Sequence, residues 1–243
     1  MRMRCVLLVI AALIVSACDA GLGSNASASV GGMTCGGGPS FSPDLLAEPG
    51  SAENGADPAA VALRTHLATS TTDGDWLPDA GWIEVARTDA DVLYIAPDPT
   101  DEGSWVSASV GRDGDAWTVT GWGSCTLQPD VGAGMGIASF RVAPDAALDA
   151  TTTTIPVLVT ERACNSGEDA RGRIQVASID QVDDSVTVVL AVRARGGGHR
   201  CPSNPETPFV LELPVPLGDR SLFDGSSVPP RDATVCPEIA MCP

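Results

Sequence analysis

Hydrophobic and polar positions change their period several times along this chain, and the changes divide it into segments. Ten apolar residues run without interruption from Val6 to Val15. As a helix they would rise about 15 Å, half of a bilayer core of about 30 Å, so the run fits the apolar part of a secretion signal and not a membrane span. Residues 18–57 show neither a helical nor a strand period. Gly, Ser, Ala and Pro dominate there, and the stretch reads as a flexible tether. From Pro58 the spacing becomes helical, with Ala60, Leu63 and Leu67 on one stripe and a proline where the first turn tolerates it. One short helix is predicted.

Beyond it the period is two. Residues 82–87, 91–97, 105–112 and 116–125 alternate and are separated by turn-forming residues, Asp113-Gly114 among them. They predict a four-stranded antiparallel meander that forms, with the helix, a first domain over residues 58–128. Taken strand by strand, the alternation places Ile83, Val85, Leu93, Ile95, Val106, Ala108, Val110, Trp117 and Val119 on one face. The other face then holds Trp82, Glu84, Tyr94, Trp105, Ser107, Ser109, Thr118, Thr120 and Trp122. Because that face mixes aromatic rings with hydroxyls, Trp82, Tyr94, Trp105 and Trp122 are the candidate ligand-binding residues. The competing reading covers the face with the helix or a later segment, or turns Trp122 inward through a bulge at Gly121.

After a glycine-rich break at 129–136, strands are predicted at 137–142, 154–161, 173–180, 185–195 and 207–215. Pro208 and Pro214 argue that the last is an edge strand. With no helix between them, these strands predict a small disulfide-stapled β-sandwich over 137–230, followed by a cysteine-containing tail at 231–243. The fold class is therefore mainly β, with an α+β first part.

Charge narrows the functions available. All 14 basic residues are Arg, against 31 acidic ones, for a net charge of −17. Such a surface repels nucleic acid, which is not an expected partner. The absence of lysine also removes the Walker A, Schiff-base, protein-kinase and Ser-x-x-Lys mechanisms.

The N-terminus reads Met1-Arg2-Met3-Arg4, then the apolar run, then Val15-Ser16-Ala17-Cys18. This resembles the signal and lipobox of bacterial lipoproteins. The resemblance implies that residues 1–17 are a cleaved signal peptide and that Cys18 is the lipid-attachment site, carrying diacylglyceryl on sulfur and becoming the new N-terminus. Two or more palmitate-type chains anchor stably where one is marginal, so the expected location is the extracytoplasmic side of the cell membrane. An ordinary secretory signal cut near Ala17 or Ala20 is the alternative. Asp19 looks like the inner-membrane retention signal of double-membraned bacteria. In its Arg-only, Ala/Gly-rich usage the body resembles uncharacterised lipoproteins of high-GC bacteria, which implies no activity.

Once Cys5 leaves with the leader and Cys18 takes lipid, six cysteines remain. An even number in an oxidising compartment predicts disulfides. Cys164 precedes the strand at 173–180 and Cys201 follows that strand's partner at 185–195, so both lie at one end of a hairpin and a Cys164–Cys201 bridge is predicted. Cys35, Cys125, Cys236 and Cys242 receive no pairing. With no Cys-x-x-Cys and no second histidine at finger spacing from His66 or His199, neither zinc nor a redox dithiol is expected.

No catalytic residue, metal or cofactor is assigned. The nucleophile elbow Gly-x-Ser-x-Gly is absent, His66 and His199 read as structural, and 31 acids are too many to single out a catalytic pair. Asp73, Asp75 and Asp79 resemble the calcium loops of thrombospondin-type repeats, but one copy without a following cluster reads as a solvated turn. The expectation is a non-enzymatic binding or interaction module at the envelope, with a glycan, peptide or protein ligand. The alternatives are an envelope-directed hydrolase using carboxylates and a structural envelope lipoprotein.

Overall fold

The computed structural model describes residues 30–47, 50–69 and 77–235. The leader, Cys18, Asp73, Asp75, Cys236 and Cys242 lie outside these residues. The described residues are mainly β, with one α-helix, a four-stranded antiparallel sheet, a larger sheet and two disulfides. No described helix is long and apolar enough to cross a membrane.

The described part of the expected tether is built into the fold, which corrects the boundary at residue 57. Strand β1 (Met33–Cys35) folds back on Phe41, with Met33 and Phe41 exchanging backbone hydrogen bonds of 2.8 Å, and Cys35 is bonded to Cys125. Met33 and Phe41 bury themselves against Ile83, Val85 and Ile95, with Leu46 packed alongside. The segment thus straps one face of the four-stranded sheet. Its apolar residues show no period because each is set singly into a turn or a very short strand.

Helix α1 (Pro58–Thr69) covers the opposite face through Ala59, Ala60 and Leu63, all fully buried. Asp57 caps its start: Oδ1 accepts the N–H groups of Ala59 and Ala60 at 3.1 and 3.3 Å, two of the donors every helix leaves unpaired there. The sheet between strap and helix is the predicted meander, β2 (Ile83–Arg87), β3 (Asp91–Pro97), β4 (Trp105–Asp113) and β5 (Ala116–Cys125), in sequential order. Gly114 turns β4 into β5 with φ +61°, a conformation glycine adopts without strain. Strand β6 (Leu127–Pro129) returns to pair with β1.

The sandwich-like second half takes the form of one continuous hydrogen-bonded sheet around its own core. Its strands are β7 (Met135–Val142), β8 (Thr154–Glu161), β9 (Ile174–Gln181), β10 (Ser185–Arg193), β11 (Thr207–Glu212), β12 (Ser221–Asp224) and β13 (Arg231–Asp232). Strand β10 is the hub. On one edge it pairs with β9; along the other it meets β12 in parallel through its first half and β7 in antiparallel through its second. Strands β8 and β11 continue outward from β7, and β13 from β12. Val186, Val188, Leu190 and Val192 point from β10 into a core shared with Phe140, Ile155, Val157 and Leu211. The period of two seen in the sequence is this inward set.

A sheet that branches leaves backbone groups unmatched at the fork, and Asp224 occupies that place. Fully buried, it accepts the Phe140 N–H of β7 at 3.2 Å, the N–H and hydroxyl of Ser226 at 3.0 Å each, and the Arg231 guanidinium at 2.6 Å.

At the end of β8, the buried Glu161 receives both terminal nitrogens of Arg173, at 3.0 and 2.6 Å, and the Asn165 side-chain amide at 2.7 Å. The fork-to-fork geometry holds the Arg173 guanidinium above its ordinary range, mainly through the hydrogen bonds with Glu161. Beside this network Cys164 is bonded to Cys201, which pins the loop leading into β9 to the loop leaving β10.

Candidate functional site

Four aromatic residues were expected to share a surface, and the fold separates them. Trp82 and Tyr94 are fully buried beneath α1, in the cluster that contains Val106, Ala108 and Val110. Trp105 sits on the opposite face, half-buried with the strap residues. Trp122 alone is well exposed, at 40%, and tilts against the His66 ring with centroids 4.8 Å apart. The predicted faces fail because Tyr94 pairs with Ala108 and Val92 with Val110, which sets β3 one residue out of step with the strand-by-strand assignment. Bulges between Glu84 and Ala86 and beside Ser109 shift β2 and β5 further. A ligand platform made of these four rings is therefore not present.

The buried end of Tyr94 opens instead on a charged cluster. Arg87 donates to Glu84 at 2.6 Å through Nε and through Nη2, and to Asp57 at 3.1 Å. Burial raises the Asp57 carboxyl, but the Ala60 and Ala59 N–H groups and the Arg87 guanidinium together hold it below the usual carboxylate range. The two carboxylates thus share one guanidinium, an arrangement that fixes the helix cap. Burial, reinforced by Asp57 and Glu84 and opposed by the Arg87 guanidinium, pushes the Tyr94 phenol up to about 12.

Tyr94 is the chain's single tyrosine, so tyrosinate absorbance reports it alone. We expect ionisation of the native protein with a midpoint near the value of about 12, above the about 10 of an unfolded chain. The raised value means that stability falls as pH climbs from the unfolded midpoint through the folded one. A midpoint near 10 with the far-ultraviolet circular dichroism unchanged would contradict the burial of this ring.

The structure also brings Ser166 to His199, a pair the sequence did not connect. The Oγ to Nδ1 separation is 3.5 Å. Ser166 has a φ of +59°, and its hydroxyl accepts the Arg200 N–H at 3.2 Å while its own N–H donates to Arg200 O at 2.9 Å. These bonds make Ser166 a staple across the disulfide loops rather than a nucleophile aimed at solvent. Among the described residues no group of three or more His, Cys, Asp or Glu is placed to hold a metal. Of the three candidate calcium ligands only Asp79 is described.

A concave feature lies elsewhere, between two of the outer strands of the large sheet. Among the described residues, strand β9 pairs only with β10 and β11 only with β8, so each presents one edge that no described strand pairs. A groove of about 990 Å³ is lined by both strands. Ile174, Val176, Ile179 and Phe209 form its apolar floor, and all four pack partly into the core of the sheet. Val210 on the rim is 54% exposed, and Asp130 and Glu212 are the two ionisable residues in the lining. The Gly132 N–H and the Ser40 hydroxyl hold Asp130 below the usual carboxylate range. Val30 and Met135 also border the groove. Its volume falls within the range of ordinary ligand sites. One wall was legible in the sequence through Pro208, whereas the free edge of β9 carries no comparable mark.

No protein-family model, curated protein or solved structure matches this chain.

Proposed function

We propose that this protein is a lipid-anchored, extracytoplasmic binding module whose ligand lies in the groove between β9 and β11. The groove carries the reading: an apolar floor open to solvent, next to an exposed valine, on a rigid sheet stapled by a disulfide. The lipobox-like Val15-Ser16-Ala17-Cys18 supports anchoring through Cys18, and two disulfides support an oxidising compartment.

Both halves are testable on the full chain in detergent micelles. Mass spectrometry of the mature protein finds Cys18 at the N-terminus with diacylglyceryl and acyl groups; an intact leader or an unmodified Cys18 refutes the anchor. Nile red, a neutral apolar probe, brightens when it binds the protein, and Val210→Asp removes most of that signal. The control Val61→Asp, at an exposed position on α1, leaves it. Equal signals from the two variants, or no signal from the unaltered chain, refute the groove as the ligand site.

A further inference from the structure

The walls of this groove are strand edges, and that restricts what can fill it. In the β9–β10 ladder the Arg193 N–H donates to Arg173 O and the Val182 N–H to Ser185 O, both near 3.0 Å. With the register between them and its single irregularity beside Leu190, Gln175, Ser178 and Asp180 direct their backbone groups at β10. Ile174, Val176 and Ile179 therefore direct theirs at the free edge, and these same residues form the groove floor. In β11 the bond from Leu213 N–H to Thr153 O fixes the parity likewise, leaving Pro208, Val210 and Glu212 on the outer edge. Pro208 has no N–H to offer, so β9 is the better-equipped edge.

Resting on the groove reading above, we infer that the ligand is an extended polypeptide segment that adds as a strand to β9, with alternate apolar side chains on the groove floor and basic side chains toward Asp130 and Glu212. An apolar small molecule could cover the floor, but it would leave the row of N–H and C=O groups along β9 unmatched. A strand satisfies them at its own repeat. The charge of the occupant follows from the lining, which among the described residues holds two carboxylates and no cation. A second copy of this chain, at −17, is repelled by the first. Residues 18–29 and 236–243 contain no basic residue and do not supply the pattern themselves.

The probe is an end-blocked nonapeptide in which valine alternates with arginine and threonine, added to the full chain in detergent micelles. Bound peptide slows amide exchange at Ile174, Val176 and Ile179. Methylating the peptide's amide nitrogens along one edge weakens binding by about tenfold or more for each hydrogen bond lost, and glutamate in place of arginine weakens it comparably. Because these changes are made in the peptide, no altered protein has to fold. Equal affinity for the methylated peptide, or no slowing at the three β9 amides, overturns strand addition. Equal affinity for the glutamate peptide overturns the basic character of the ligand. In each of these cases a Nile red signal sensitive to Val210→Asp keeps the groove as a binding site, so the two readings fail separately.

Discussion

Serine at both Cys35 and Cys125 lowers the unfolding free energy by about 4.6 kcal/mol on the chain-entropy account of a loop spanning 90 residues. The bridge at Cys164 and Cys201 closes 37 residues and is worth about 3.8 kcal/mol on the same account. Position amplifies the first effect. Cys35 belongs to a short strap that is otherwise held by β1–β6 pairing, a few backbone hydrogen bonds and the packing of Met33, Phe41 and Leu46. When the strap loosens, Ile83, Val85 and Ile95 lose their cover, and the four-stranded sheet is left with one packed face. Guanidinium unfolding of the double variant against the unaltered protein measures the loss, and amide exchange locates it. A deficit below about 1 kcal/mol would show that the unfolded chain gains little freedom from losing the bridge.

Asp224→Ala is expected to cost about 2 to 4 kcal/mol, because removing a fully buried acceptor leaves the Phe140 and Ser226 donors without a match, while Arg231 stays partly open to water. Phe140 N–H, the two donors of Ser226 and the Arg231 guanidinium all converge on this carboxylate. Asp224→Asn keeps the volume and one acceptor oxygen, and should cost distinctly less. Thermal and denaturant melts rank the three proteins, with fast exchange at β7 and β12 as the local signature in the alanine variant. Equal stability of the alanine and asparagine variants would mean that volume, and not the acceptor, matters at the fork.

Much of the architecture was legible in the sequence because it depends on short-range rules. A period of two placed the bounds of β8 at 154–161 as observed, and those of β7, β9 and β10 within a few residues. Pro208 and Pro214 marked β11 as an edge, and it is one. The hairpin of β9 and β10 brings Cys164 and Cys201 together, so their bond could be argued from strand ends alone. Cys35 and Cys125 lie 90 residues apart with no hairpin between them, and no local rule joins them.

What escaped was whatever needs two distant strands to be compared. Alternation sorts side chains within a strand but does not fix the offset between neighbours, so Tyr94 was grouped with Trp105 although they lie on opposite faces. Strands β12 and β13 have four and two residues, and β12 joins β10 in parallel, without the turn signal of a hairpin. The groove escaped for the same reason. It exists because two edges far apart in sequence come to border one space.

Val30 borders that space and stands twelve positions after Cys18. Fully stretched, twelve residues reach about 42 Å at most. On the proposed acylation of Cys18, these residues would act as a leash: the mouth of the groove would stay within this reach of the lipid surface, and a polypeptide bound there would have to come down to meet it.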